Sequence, residues 1–264
     1  MVANLQPLRI PMNTKRTALI TGATSGIGEA TARLLAENNF RLILCGRRKD
    51  RLENLIKDLS LKTELITLSF DVRDQKETAL AIQSLPNEWK NIDVLINNAG
   101  NAHGLSPVQT GSVEDWDAMM DINVKGLLYV SKEIMPGMIE RKSGHIINIG
   151  SIAGKEVYPN GNVYCASKFA VDAITNGMRL DLNPYGIKVT GIHPGMVETE
   201  FSLVRFKGDA ERAEKVYQGL TPLHAADIAD VILFTVTRPA HVVLADMIIL
   251  PVAQASATVV KREG

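Results

Sequence analysis

The amino-acid sequence predicts an α/β fold: a parallel sheet with right-handed crossovers and helices on both faces. Two observations carry that expectation. Short β-rich runs alternate with helical patterns along nearly the whole chain, the order that strand–helix–strand units impose. The first such run, Thr17–Thr21, enters the Gly-rich turn Gly22-Ala23-Thr24-Ser25-Gly26-Ile27-Gly28 before a helix begins. With 264 residues, 45% of them hydrophobic and 22% charged, the chain can bury one large core. Residues 16–264 are expected to form a single domain behind an N-terminal extension, 1–15, which mixes Pro, Asn and Gln with scattered apolar positions.

After the turn, the pattern predicts a helix over Glu29–Asn38 and a second strand, Arg41–Cys45, ending at Gly46. Arg48–Leu59 is amphipathic and charged, as a surface helix is. Glu64–Phe70 reads as a third strand that stops at Asp71, and Asp74–Ser84 as a helix. Asp93–Ile96 is a fourth strand, entering Asn97-Asn98-Ala99-Gly100. Two helical stretches follow, around Ser112–Val124 and Gly126–Glu140, and then a fifth strand, His145–Ile149. A helix is expected from about Gly161 to Asn183, before the breakers Pro184 and Gly186. Lys188–Ile192 is a sixth strand, ending at His193-Pro194-Gly195; Ala226–Thr235 is a late helix and Met247–Leu250 a last strand. Segment 194–219 is long, mixed and without clear periodicity, which in a compact domain marks a functional or mobile loop.

Composition narrows the function classes. Lys+Arg 29 against Asp+Glu 29 gives a formal net charge of +0, so no nucleic-acid or membrane footprint is expected. No apolar run reaches the roughly 18 residues of a membrane span. The first residues lack a continuous apolar stretch and a small-residue cleavage site, so no signal peptide is expected. Two cysteines, Cys45 and Cys165, are too few for a disulfide framework and read as reduced thiols in a cytoplasmic compartment. No Cys/His spacing suggests a metal site.

The chemistry is concentrated in Tyr164 and Lys168, with Ser151 upstream. Four-residue spacing puts Tyr and Lys on one helix face. An ammonium beside a phenol favours the phenolate, so Lys168 is expected to lower the ionisation of Tyr164 from about 10 toward working pH. A phenol so tuned exchanges a proton with an alcohol or carbonyl oxygen. Ser151 follows the fifth strand at its carboxyl end, where ligands sit in open α/β sheets, and can hydrogen-bond the same oxygen. The turn Gly22–Gly28 between strand and helix forms an anion site for a dinucleotide phosphate. Its glycines are spaced Gly22-x-x-x-Gly26-x-Gly28, unlike the usual G-x-G-x-x-G. At the end of the second strand, where an acidic residue would bind a ribose 2′-hydroxyl, stand Arg47 and Arg48. Guanidinium groups there suit a 2′-phosphate and favour NADP over NAD; a solvated pair opening a surface helix is the alternative. Asp71 and Val72 lie where adenine would, although Asp71 could also be a helix cap.

The set Thr21–Gly28, Asn97–Gly100, Ser151, Tyr164-Cys165-Ala166-Ser167-Lys168 and Pro194-Gly195 resembles the short-chain dehydrogenase/reductase family, over about residues 16 to 251. The resemblance implies a Rossmann-type, doubly wound parallel sheet of about seven strands and a nicotinamide cofactor. It implies a catalytic tetrad at Asn123, Ser151, Tyr164 and Lys168. Asn123, a poor helix former in mid-helix, would open its helix to a water that relays protons from Lys168. It also implies cofactor contacts from Asn98, Ala99, Gly100, Tyr164, Lys168, Pro194, Gly195, Val197 and Thr199. A narrower likeness rests on Val197–Gly208, Gly46-Arg47-Arg48 and Pro251–Ser256. These look like the NADP-dependent 3-hydroxy acid dehydrogenase branch, whose members act on serine, allo-threonine or the matching carbonyls. His193 departs from the Glu or Ala common there. A small carboxylate substrate needs a cation, and Arg205, or Lys207, lies in the loop expected to cover the pocket. A homo-tetramer is the family's usual assembly. A 3-oxoacyl thioester reductase or broad carbonyl reductase, and a non-catalytic NADP-binding sensor, are the competing expectations.

Overall fold

The computed structural model describes residues 15–263. The expected N-terminal extension, 1–15, lies outside them except for Lys15. Seven parallel strands form the central sheet: β1 (Arg16–Thr21), β2 (Phe40–Gly46), β3 (Leu65–Ser69), β4 (Val94–Asn97), β5 (His145–Ile149), β6 (Lys188–Pro194) and β9 (Asp246–Ile249). A separate two-residue pair joins β7 (Val197–Glu198) to β8 (Leu223–His224). The sheet order is β3-β2-β1-β4-β5-β6-β9, so the chain winds outward from β1 in one direction and from β4 in the other. That reversal leaves a crevice at the carboxyl ends of β1 and β4, the place where such sheets bind ligands.

Strand residues alternate between two buried faces, which is why the strands read as nearly continuous apolar runs. Leu19, Ile43, Leu95, Ile146 and Val189 point to one face. They meet α3 (Gln75–Gln83) through Ile82, α5 (Gly126–Arg141) through Val130, Ile134 and Met138, and α6 (Asn162–Leu182) through Val171 and Met178. Ala18, Ile20, Leu42, Leu44, Ile96 and Ile147 point to the other. There they pack on α1 (Gly26–Glu37), α2 (Lys49–Leu59) and α9 (Ala225–Val236), whose buried faces carry Leu35, Leu55 and Ile232. No helix among the described residues is long and apolar enough to cross a membrane.

Three expectations need correction. The stretches around Ser112–Val124 and Gly126–Glu140 are not separate: α4 (Val113–Met120) passes through a wide turn at Asp121–Lys125 into α5 without leaving helical backbone. Gly126 is there for close approach rather than as a break, since a Cβ on it would lie 2.8 Å from Val72 Cγ2. Strand β6 runs on through His193 and Pro194, because β9 pairs beside both. Segment 194–219, aperiodic in sequence, contains β7 and two short helices, α7 (Phe201–Arg205) and α8 (Ala210–Lys215). Asp209 starts α8 by accepting a hydrogen bond from the Arg212 N–H.

His145, on β5, is 1% exposed. Its Nε2 pairs with Thr190 Oγ1 at 2.9 Å, and its Nδ1 has no partner. Burial pushes the imidazole down to about 3, so it is neutral in the fold at pH values where the unfolded chain takes up a proton. Stability is therefore fully present above the ordinary histidine value, near 6.5, and is lost as pH falls from there toward about 3, by at most about 1.4 kcal/mol per pH unit. Urea unfolding between pH 7 and 4 should show this slope in the native protein and a shallower one in His145→Asn.

Candidate active site

The Gly-rich turn is held from across the switch point. Asn98, just past β4, donates from its side-chain Nδ2 to the carbonyls of Thr21 (2.9 Å) and Gly22 (3.2 Å). In return Thr21 Oγ1 accepts from the Asn98 and Ala99 N–H groups, both at 3.0 Å. Gly22 and Gly26 adopt left-handed backbone, φ +65° and +52°, which L side chains rarely tolerate. At Gly28 the requirement is space: a Cβ would fall 2.3 Å from the Gly22 carbonyl oxygen and 2.5 Å from Asn98 Nδ2. Ala23 is fully buried, its N–H donating to the Cys45 carbonyl. Gly22, Thr24, Ser25, Gly26 and Ile27 line a cavity of about 650 Å³.

At the end of β2, both predicted arginines face that cavity, and each already has partners. Arg47 Nη1 lies 3.4 Å from Asp71 Oδ2. Arg73 grips the same carboxylate at 2.6 Å. Burial pushes Asp71 up, but the Arg73 hydrogen bonds and the Arg47 and Arg73 charges outweigh it and hold the carboxyl below its ordinary range. Asp71 is not the cap of α3; Asp74 is, accepting from Lys76 and Glu77 N–H. Val72 is buried beside it. Arg48 donates to Ser25 Oγ (2.7 Å), Thr24 Oγ1 (3.1 Å) and Glu200 Oε2 (2.9 Å). Glu200 and its second partner, Arg51, were not singled out from sequence. A charge pair separated by 149 residues leaves no local pattern to read.

Three of the four predicted catalytic residues, Ser151, Tyr164 and Lys168, line the same cavity, while Asn123 is buried behind its wall. Ser151 precedes a single helical turn, Ile152–Gly154, and its Oγ accepts from Ala153 N–H at 3.1 Å. Tyr164 and Lys168 share the buried face of α6. The Lys168 ammonium donates to the Ile149 carbonyl at 3.0 Å and lies 6.0 Å from the Tyr164 ring centroid. Burial pushes Lys168 down to about 8. The expected effect on Tyr164 is reversed here: burial drives the phenol above its ordinary value, and Tyr158 adds to this. Ser151 and the Arg205 guanidinium pull the other way. Helical spacing gave the shared face correctly, but the Lys168 chain reaches past the ring to a backbone carbonyl. Asn123 sits in the wide turn between α4 and α5. Its Oδ1 accepts from Asn101 N–H (2.9 Å), while its Nδ2 donates to the Asn101 carbonyl (2.8 Å) and Ser167 Oγ (3.0 Å). Gly100 packs between Asn123 and Lys168, where a Cβ would come 3.0 Å from Asn123 Oδ1.

The loop after β6 closes the cavity. Pro194, Gly195, Val197 and Thr199 line it, and Phe201 packs against Tyr164 with ring centroids 5.7 Å apart and planes inclined at 60°. Arg205 Nη2 donates to Tyr158 Oη at 2.8 Å and Nε to the Gly104 carbonyl at 3.2 Å. Its guanidinium carbon is 5.4 Å from the Tyr164 ring centroid. Lys207, the other cation considered, pairs with Asp115 at 3.0 Å. His193, also a departure in the sequence, does not line the cavity. Its Nε2 is 2.7 Å from Asp246 Oδ1 and 3.7 Å from Asp172 Oδ1, and the Lys155 ammonium bridges the two carboxylates at 2.7 and 2.8 Å. That cluster ties the turn after Ser151 to α6, β6 and β9.

A family model for the short chain dehydrogenase matches residues 16–209. An NADP-dependent 3-hydroxy acid dehydrogenase of Salmonella typhi is 46% identical over 240 residues, 90% of this chain and 96% of the relative. A sulfoacetaldehyde reductase of Chromohalobacter salexigens is 44% identical over 247 residues, 93% of this chain and 98% of the relative. Among solved structures, the closed form of a serine dehydrogenase complexed with NADP+ superposes with a TM-score of 0.88 at 43% identity, covering 94% of this chain and 100% of the other.

Asn123→Ala should remove the partners of both Asn101 backbone groups and of Ser167. Unsatisfied buried polar groups cost about 1–3 kcal/mol each, so a loss of at least that size is expected in urea unfolding. An unchanged midpoint would mean that the loop after β4 finds other partners.

Proposed function

The chain belongs to the short-chain dehydrogenase family, and on that premise we propose an NADP(H)-dependent oxidoreductase that interconverts small 3-hydroxy acids and the matching carbonyl compounds. The observation that carries this reading is the placement of the Arg205 guanidinium and Tyr158 hydroxyl beside Tyr164 in one cavity. A cation for an acid and a phenol for proton transfer stand within one small substrate's length.

The residues fit the cofactor. Left-handed Gly22 and Gly26, with Gly28 too crowded for a side chain, bring the first turn of α1 to the cavity wall, where its N–H groups would hold a pyrophosphate. Arg47 and Arg48 would take the 2′-phosphate, Asp71 and Val72 the adenine, and Asn98, Ala99, Gly100, Pro194, Gly195, Val197 and Thr199 the nicotinamide half. When bound, NADP accepts or supplies the hydride. The protein's own part is binding and the proton. Ser151 Oγ would hydrogen-bond the reacting oxygen. Tyr164, held above its ordinary value by burial, keeps its proton at neutral pH and is a donor to a carbonyl oxygen. In oxidation Tyr164 would first lose its own proton to the relay water, a phenolate that Arg205 and Ser151 favour by pulling the phenol down, and would then take the substrate hydroxyl proton. Lys168, charged below about pH 8, would bind ribose hydroxyls, and Asn123 would hold the relay water.

The same reading makes residues 16–264 one domain and the protein a cytoplasmic homo-tetramer. Half-exposed Phe169 and exposed Leu180 on α6 support a subunit contact. Carboxylates and sulfonates both match a guanidinium fork. A rate panel should therefore compare L-serine, allo-threonine and 3-hydroxybutyrate with sulfoacetaldehyde, an acetoacetyl thioester and neutral ketones.

Tyr164→Phe should retain NADP binding, measured by calorimetry, and lose roughly 10²–10⁴-fold in turnover. Near-native turnover would remove Tyr164 from the proton step.

Arg205→Met keeps the apolar stem and removes the fork. It should raise KM for 3-hydroxy acids about tenfold or more while sparing a neutral ketone of similar size. Equal losses on both substrates would assign Arg205 to loop closure through Gly104 and Tyr158.

A further inference from the structure

The loop that covers the substrate end of the cavity is anchored at the other end, on the arginines beside the Gly-rich turn. Glu200 lies between Thr199 and Phe201, immediately before α7. Its carboxylate accepts from Arg48 Nη1 at 2.9 Å and from Arg51 Nη1 at 2.7 Å. Arg48 is nearly saturated. Its Nε and Nη2 donate to Thr24 Oγ1, and Nη2 also donates to the Thr24 carbonyl and Ser25 Oγ. Only Nη1 is left to meet a further anion, and Glu200 already holds one of its two N–H groups. A phosphate dianion and a carboxylate cannot both take it without bringing like charges together. The pairs are also exchangeable: the side chains of Arg48, Arg51 and Glu200 are each about 40% exposed, a setting in which ion pairs are weak.

The chain on either side of Glu200 gives this competition a readout. Thr199 packs over Gly26, with its Cγ2 3.2 Å from where a Gly26 Cβ would stand. Phe201 packs against Tyr164 as a tilted ring pair, and one turn later Arg205 bonds Tyr158 and Gly104. The Glu200 carbonyl itself accepts the Val204 N–H at 3.0 Å, the bond that starts α7. A change of partner at the Glu200 carboxylate acts on α7 at its first turn.

We propose that Glu200 is a specificity-determining residue that competes with the ribose 2′-phosphate for Arg48 and Arg51 and transmits its arrival to α7. This rests on the NADP reading above. A dinucleotide with a 2′-hydroxyl leaves the Glu200 pairs in place; one with a 2′-phosphate releases Glu200 and loosens the start of α7.

The test is binding to the full-length protein, without turnover. Dissociation constants are measured calorimetrically for NADP, NAD, adenosine 2′-phosphate and adenosine 5′-phosphate, in native protein and Glu200→Gln. Removing the competing charge should tighten NADP and adenosine 2′-phosphate by about three- to tenfold, less at high salt, and leave NAD and adenosine 5′-phosphate within twofold. Hydrogen exchange supplies the second arm. Adenosine 2′-phosphate, too short to reach the lid, should speed exchange at the Val204 amide in native protein and leave it unchanged in Glu200→Gln. If the variant binds the 2′-phosphate ligands more weakly, Glu200 is a support for Arg48 and the competition is overturned. Equal changes for all four ligands, or no change of exchange in native protein, overturn it as well. Native protein that binds NAD as tightly as NADP would overturn the cofactor reading itself, and this proposal with it.

Discussion

The side-chain amide of Asn98 is the contact on which the cavity depends. Two carbonyls, Thr21 and Gly22, face away from the sheet at the point where the chain leaves β1, and one Nδ2 group satisfies both. Thr21 Oγ1 completes the exchange from the other side. These bonds fix the spacing between the ends of β1 and β4, and the glycines answer to it. Gly28 has no room for a methyl group because Asn98 and the Gly22 carbonyl already fill the space. Two residues further along, Gly100 comes against Asn123 and Lys168. The Gly-rich turn and the helix that carries Tyr164 and Lys168 are thus parts of one cross-braced unit.

Much of this was legible in the sequence because it is local or periodic. Alternating strand and helix patterns gave the parallel sheet, and four-residue spacing placed Tyr164 and Lys168 on one face. Asn123, awkward in mid-helix, marked the wide turn at Asp121–Lys125. The rest depends on contacts between distant segments or on the full length of a side chain. Segment 194–219 has too few residues per element to show a period, so β7, α7 and α8 went unseen. Glu200 meets Arg48 and Arg51 across about 150 positions. The direction in which Tyr164 ionises follows from burial and from where the Lys168 ammonium ends, neither of which spacing reports. That the helical stretches meeting at Gly126 are continuous, with Gly126 a point of close approach to Val72, also depends on a distant segment.

Two electrostatic settings divide the cavity. At the substrate end Tyr164 and Lys168 are 8% and 7% exposed, and burial pushes each toward its neutral form. At the end lined by Arg47 and Arg48 the arginines are solvated and share carboxylates: Arg47 and Arg73 that of Asp71, Arg48 and Arg51 that of Glu200. Salt weakens interactions of the second kind far more than the first. One end is dry and favours neutral side chains, and the other is wet and laced with exchangeable ion pairs.

The strand order has a consequence for how the chain reaches this state. Strand β1 is made early and lies in the middle of the sheet, but its second neighbour, β4, starts at Val94. The helix that covers α1, α9, ends at Val236, whose carbonyl receives Arg16 Nη1 across 220 positions. During synthesis β1, β2 and β3 can pair before β4 closes the edge of β1, yet the apolar surface that α9 covers stays open until that distant helix has emerged. Pairings this distant in sequence close late and slow folding. The surface that waits for α9 is therefore the part of the nascent chain most exposed to aggregation.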